Sequence, residues 1–387
     1  MKQRPKVAII TPGSHPIPDP NSTSVETIVH QITTMIQDDV DFTIFGKKVR
    51  KHPTYEKAGK LTYIRFPYKG AKSYIKQVAA KLQETDTDII QVENRPKYIK
   101  HLRGVFPKKQ LWLFLHSTFF IMPDRISKEE LLQCINVANK ILVNSQYMKN
   151  YLVEYTGCDK SKVTVNHYGI DINQFKSKWD PTIQKDIKQF KQSLGIEKKK
   201  VVLYVGRLKK IKGVHHLLNV FPNILKQMPN TDLFVVGSAF FGLNKETRYV
   251  KKLHQTAEDM SDSIHFIPYV PHNEIQKWFQ IADIIVVPSK AEPFGLVNIE
   301  AMATGVTVVA TNAGGIPEII KHEKTGVLLD PNSVEKELSK ALIDLLSNPT
   351  KVTSMGKAAI QHVHHNFTWE HSANRMLQLY KAYSFDQ

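Results

Sequence analysis

The chain predicts an α/β protein built on two doubly wound parallel sheets. Short apolar, β-branched runs alternate with amphipathic stretches from end to end. Strands alternating with helices mean parallel sheets with right-handed crossovers. About thirteen such runs exceed what one sheet comfortably holds. The alternation stops once, across residues 172–200, and then restarts.

In the first half the strand candidates are KVAIIT, DFTIFG, LTYIRF, DIIQVE, LWLFLH, KILVNS and KVTVNHY, with amphipathic segments such as SVETIVHQITTMI and LLQCINVAN between them. They define an expected N-terminal domain over residues 1–175. Residues 172–200 are charged, carry no strand-like run and read as a linker. KVVLYVGR then restarts the pattern, and TDLFVVGS, SIHFIPYV, DIIVVPS, VTVVAT and GVLLD follow in an expected second domain over residues 201–367. FTWEHSANRMLQLYKAY closes the chain as an amphipathic helix, residues 368–387, with no strand after it.

At 387 residues the length favours two to three domains. The apolar start KVAIITPG is too short for a signal-peptide core. No run reaches the roughly 18 apolar residues that a bilayer span needs, and the expected setting is the cytoplasm. Cys134 and Cys158 lack metal-ligand spacing and read as buried small hydrophobes. The net charge of +17 is the unusual bulk property. It fits an anionic membrane face or an acidic acceptor, and it also fits plain solvated lysine. The helix-like stretch at Lys69–Leu82 could lie on a bilayer with Tyr74, Ile75, Val78 and Leu82 on one side, or pack those residues on the sheet. No zinc spacing, RNA-binding aromatic signature or helix-turn-helix pattern points to nucleic acid.

Two segments carry chemistry. In SKAEPFGLVNIEAMATGVTVVATNAGGIPEII, Glu292 lies in the loop beyond a buried strand, and Glu300 lies about two turns down the next helix. Open α/β sheets bind ligands at the carboxyl ends of their strands. Two carboxylates beside the free N–H groups of a helix start suit a polyol joined to a phosphate. In YVGRLKKIKGVHHLL a strand ends at Gly206, and Arg207 and Lys212 follow where a diphosphate would meet them. Neither GxxxxGK[ST] nor a GxGxxG after the first strand is present. Gly295 allows close approach to the backbone. Gly314 and Gly315 form either an anion-friendly backbone nest or a simple tight turn.

EPFGLVNIEAMATGVTVVATNAGGIPEII, with VGRLKKIKG upstream, closely resembles the retaining nucleotide-sugar glycosyltransferases of glycosyltransferase family 4. The match is specific over most of residues 200–330 and looser before that. It implies the GT-B fold: two Rossmann-like domains facing a central cleft, with the last helix returning to the N-terminal one. It further implies that Glu292 contacts the donor sugar and that backbone at Phe294, Gly295 and Leu296 holds sugar and diphosphate. By the same resemblance Glu300 binds the ribose, Arg207 and Lys212 the diphosphate, and backbone near Tyr269 and Val270 the base. No metal or other cofactor is implied, since the two cations replace one. His116 matches an N-domain histidine near the donor sugar, and Asn144 matches a residue facing the cleft.

The first loop, TPGSHPIPDPNSTSVETIV, departs from the family by lacking its usual Gly-Gly pair. Gly13 precedes a Pro-rich loop, and Ser22, Thr23 and Ser24 stand nearby, where hydroxyls could cap the helix or meet phosphate. This loop followed by SVETI is also similar to a spore-coat group of bacilli within the family, which adds the coat as a setting, while the basic N-terminal half adds the membrane surface. The implied reaction moves a hexosyl group, with retention, from a nucleoside-diphosphate sugar such as a UDP-sugar to a hydroxyl on a glycan, lipid or protein, anionic if the basic surface serves it. A non-catalytic coat scaffold, a sugar-nucleotide epimerase and a phosphorylase are the alternatives on this fold; the last lacks a pyridoxal-phosphate signature.

Overall fold

A computed structural model describes residues 4–19, 22–240 and 246–385. The chain divides into two compact units: residues 1–168 with 369–387, and residues 169–368.

The N-terminal unit begins with β1 (Lys6–Ile10), α1 (Ser24–Met35), β2 (Asp41–Lys47), β3 (Tyr55–Ala58), β4 (Leu61–Phe66) and α2 (Ala71–Leu82). It continues with β5 (Ile89–Glu93), α3 (Pro96–Val105), β6 (Gln110–Leu115), α4 (Lys128–Val137), β7 (Lys140–Val143), α5 (Gln146–Thr156) and β8 (Val163–Val165). Its eight-stranded sheet runs β3-β4-β2-β1-β5-β6-β7-β8. All neighbours are parallel except β3, which pairs antiparallel with β4. The expectation of a purely parallel sheet missed β3. Its sequence, YEKA, is charged and mostly exposed, so it has no apolar run to read.

The second unit holds α6 (Gln184–Ser193), β9 (Lys200–Val205), α7 (Val214–Gln227), β10 (Thr231–Val236), α8 (Arg248–Ala257), β11 (Ile264–Ile267) and α9 (Gln276–Ile281). Then come β12 (Ile284–Val287), α10 (Leu296–Ala303), β13 (Thr307–Thr311), α11 (Ile316–Ile319), β14 (Gly326–Leu329), α12 (Val334–Ser347) and α13 (Pro349–Asn366). Its six strands are all parallel, in the order β11-β10-β9-β12-β13-β14. The inner strands β12 and β13 are buried at every residue, as expected of strands covered on both faces.

Each unit has its own apolar core. Residues 172–200 do not form a bare linker. Lys178 N–H donates to Thr304 O at 2.9 Å, and Phe190 of α6 meets the Trp278 ring edge-on at 5.2 Å, so this stretch packs on the second unit. The closing helix, α14 (Trp369–Phe385), belongs to the first unit. Tyr380 stacks on Trp112 at 5.4 Å and its hydroxyl donates to Gln91 Oε1 at 2.8 Å.

Helix α2 takes the second of its two readings, packing on the sheet. Tyr74, Ile75, Val78 and Leu82 are buried in the core, while Lys72 and Lys76 face water. Its apolar stripe is therefore already covered by protein. Cys134 and Cys158 are free and buried, and burial pushes the Cys134 thiol up to about 11. Among the described residues no helix is long and apolar enough to cross a membrane.

Candidate active site

In the second unit the chain leaves β9 for β10 on one side, and β12 lies on the other. The crevice beyond their carboxyl ends is a topological switch point, where open α/β sheets take ligands. The β9 loop delivers Arg207 and Lys212, and the β12 loop delivers Glu292. Lys290 N–H donates to Ile211 O at 2.9 Å, which ties the two loops together.

Lys212 Nζ forms an ion pair with Glu292 Oε2, and both side chains are largely buried. The resemblance implies different parts of a ligand for these two residues; the fold joins them directly. Arg207 is exposed and holds no ion pair among the described residues. The site therefore presents one open cation and one cation already balanced by a carboxylate.

Glu300 is buried on α10, and its Oε1 accepts from His272 Nε2 at 2.9 Å. Burial alone would lower the His272 pKa, but the hydrogen bond and charge of Glu300 outweigh it and raise it above 6.5. His272 was not singled out from sequence. Its signal lay in IPYVPHNEI, where it follows Tyr269 and Val270. Both of these are half-buried in the loop after β11. The bond to Glu300 brings this loop to α10.

Phe294 is buried, with its ring 6.1 Å from that of Phe367. Gly295 precedes Leu296 at the start of α10, and no side chain caps that start. This leaves first-turn N–H groups for an anion. Gly295 has φ 98°, and a Cβ there would come within 2.5 Å of Asn298 Nδ2. The glycine is thus required by the protein's own packing before any ligand arrives. Asn298 is fully buried, and neither amide atom has a hydrogen-bond partner. That is costly for an interior amide. A second polar residue beside Glu300 in the otherwise apolar LVNIEAMA is the signal that could have found it.

Gly314 and Gly315 brace the Glu292 turn. Gly315 N–H donates to Glu292 O at 2.8 Å, so that amide is not available to an anion. Gly314 has φ 62°, and a Cβ on it would come within 2.1 Å of Glu292 O.

The remaining expected residues lie in the first unit. The His116 ring is buried with both nitrogens engaged: Nε2 faces the Glu93 carboxylate and Nδ1 the Tyr168 hydroxyl. Asn144 Nδ2 donates to His116 O at 2.9 Å and to Tyr168 Oη at 3.1 Å. Gln91 Nε2 donates to Glu93 Oε1 at 2.7 Å and so extends the chain of bonds to Tyr380. Where the resemblance implies sugar contact for His116 and cleft exposure for Asn144, this conformation turns both side chains inward. Gly13 is buried against the Tyr74 ring. Ser22 Oγ donates to Pro16 O at 2.7 Å, Thr23 bonds the Glu26 carboxylate, and Ser24 is exposed.

Two parallel-sheet α/β units, with charged side chains at a switch point, define the class, and comparison gives the family. Residues 186–362 match the family described as Glycosyl transferases group 1, and residues 25–174 match Glycosyltransferase Family 4. The chain belongs to the GT-B glycosyltransferases. It is 28% identical to Spore coat protein SA of Bacillus subtilis (strain 168), over 97% of this chain and 99% of that one. It is 31% identical to the D-inositol 3-phosphate glycosyltransferase of Segniliparus rotundus, over 65% of this chain and 54% of that one. Among solved structures it is similar to Anabaena Alr3699/HepE in complex with UDP-glucose, with a TM-score of 0.77, 22% identity, and 97% and 99% of the two chains covered.

Proposed function

We propose that this glycosyltransferase is a retaining, metal-independent hexosyltransferase that uses a nucleoside-diphosphate sugar, most simply a UDP-sugar, and requires no further cofactor. The observation that carries the reading is the gathering of Arg207, Lys212 and Glu292 at the β9/β12 switch point. The UDP-glucose complex of HepE supports the choice of donor. Spore coat protein SA supports a cell-envelope or spore-coat glycan as the setting.

In this reading the acceptor oxygen bonds to the anomeric carbon on the face from which the phosphate leaves. The bond from that carbon to the phosphate oxygen breaks, and the departing phosphate takes the acceptor's proton. Arg207 and Lys212 offset the charge that develops on the diphosphate. Glu292 orients the sugar hydroxyls, which requires it to share or release Lys212. Glu300, held by His272, receives the ribose.

Titration with UDP is the first test, and failure of any nucleoside diphosphate to bind would favour a coat scaffold. The anomeric configuration of the product, read by NMR, tests retention, and turnover in EDTA tests metal independence. Conversion of donor with no acceptor present would point to an epimerase. Exposed Lys72, Lys76 and Lys100 on neighbouring helices α2 and α3 support an anionic acceptor or membrane face as partner. Sedimentation with anionic vesicles at low and high salt checks the membrane part.

A further inference from the structure

Lys212 and Glu292 satisfy each other, with only 19% and 14% of their side chains exposed. A diphosphate that draws Lys212 away leaves Glu292 as a largely buried carboxylate without its cation. Breaking such a pair is strongly unfavourable unless other donors replace the cation. A sugar hydroxyl supplies one donor, and a carboxylate accepts several. The nearby Gly315 N–H cannot help, because it is spent on Glu292 O at 2.8 Å.

Asn298, the third residue of α10, stands behind this loop. It is 0% exposed, and its amide nitrogen and oxygen both lack partners. Among the described residues of this unit, Asn298 Nδ2 is the only buried side-chain nitrogen without an acceptor. Ile299, Ala301 and Met302 beside it are apolar and equally buried, so packing alone asks for no amide here. An interior amide left unpaired is costly, and a partner that arrives with a ligand explains it.

The geometry names that partner. The Asn298 N–H donates to Gly295 O at 2.9 Å, which starts the helix, and helical side chains lean toward the N-terminus. A Cβ on Gly295 would lie 2.5 Å from Asn298 Nδ2 and 3.1 Å from Glu292 Cγ. The amide nitrogen and the stem of the carboxylate therefore flank one point, which glycine leaves open.

We propose that Asn298 is a positioning residue for the transfer reaction. When the diphosphate takes Lys212, the Glu292 carboxylate turns to Asn298 Nδ2. The amide then donates to one oxygen while the other accepts from a hydroxyl of the donor sugar. Glu292 thus has a partner in each state, the cation without ligand and the amide with it. Asn298 touches neither sugar nor phosphate and acts through Glu292. This rests on the nucleotide-sugar reading of the site.

The experiment is calorimetric titration of the full chain with UDP, UDP-glucose, UDP-galactose and UDP-N-acetylglucosamine. The readout is the affinity for the sugar nucleotide that the wild type prefers, relative to UDP. Lys212 leaves Glu292 for UDP and UDP-sugar alike, so this ratio isolates the sugar contact. Asn298→Ala should lower the ratio by about fivefold or more, because Glu292 loses a donor. Asn298→Ser, which restores a donor, should regain part of it. In a Glu292→Ala background, Asn298→Ala should change the ratio by less than about twofold, since the residue it acts through is gone. Asn298→Leu should lower the ratio while melting no lower than the wild type, because an apolar group of the same branching replaces an unpaired amide. An amide kept only for packing would do the reverse, with a lower melting temperature and an unchanged ratio. A wild-type ratio in Asn298→Ala and Asn298→Leu, or an equal fall with and without Glu292, would overturn the role of Asn298 and leave the donor reading standing. A wild type that binds UDP and the UDP-sugars not at all would overturn the donor reading and this proposal with it.

Discussion

Both sheets reverse at their first strand, and both place a cation and a carboxylate at the reversal, but the two crevices treat that pair in opposite ways. At β9/β12, Lys212 and Glu292 are already joined. At β1/β5, Glu26 keeps a buried oxygen unpaired, while Arg95 bonds Asn94 O and the Tyr98 hydroxyl instead of the carboxylate. The first arrangement neutralises itself before a ligand arrives, so a ligand must compete with an internal contact. The second leaves cation and carboxylate apart, so one Glu26 oxygen stays buried without a donor.

The largest expected effect breaks the first crevice. Lys212→Ala should lower kcat/KM by about 100-fold or more, because a charge that stabilises the departing diphosphate is removed. Glu292→Ala should do likewise, and unchanged turnover in both would sink the assignment. Next in size is Gly314→Ala. A Cβ at 2.1 Å from Glu292 O, on a residue at φ 62°, should cost about 2–3 kcal/mol in urea unfolding.

The comparison itself is sharpened by two double-mutant cycles on stability without ligand. Lys212 and Glu292 should couple by about 1–2 kcal/mol, since their side chains are largely shielded from water. Glu26 and Arg95 should couple much less, because no direct contact links them. Coupling of similar size in both pairs would abolish the distinction between the two crevices.

The smallest effect concerns His272, whose pKa lies above its ordinary value of 6.5 through the bond to Glu300. A raised folded-state pKa means that the ion pair stabilises the protein fully below about pH 6.5 and loses its contribution as pH rises through the higher, folded value. About half of the imidazole is in water, so screening holds the effect to a few tenths of a kcal/mol. The imidazole resonance in NMR should titrate above 6.5 in the wild type. In Glu300→Gln it should fall below, because burial then acts without the opposing carboxylate.

By itself the sequence determined the α/β class, the two-sheet organisation and every strand with an apolar run. Burial on both faces writes itself into a chain as consecutive β-branched residues, and that signal is local. Glu292, Arg207 and Lys212 were legible as candidates because each lies in a loop that follows a readable strand, and Glu300 because it lies on the helix that follows the Glu292 loop. β3 escaped because an exposed edge strand needs no apolar residues, and residues 172–200 looked like a linker because α6 packs through few of them. Tertiary structure alone decided which side chains meet. Glu26 carries no signal of its own in the sequence; only the return of β5 beside β1 brings Arg95 near it. His272 reaches Glu300, and Glu292 meets Lys212, across long separations in the chain that no periodicity encodes. His116 carried a family resemblance but not its hydrogen-bond partners, because Glu93 and Tyr168 arrive from other strand ends. Charge pairing and desolvation depend on distances in space, so the sequence named the charged groups, and the fold decided which of them are paired.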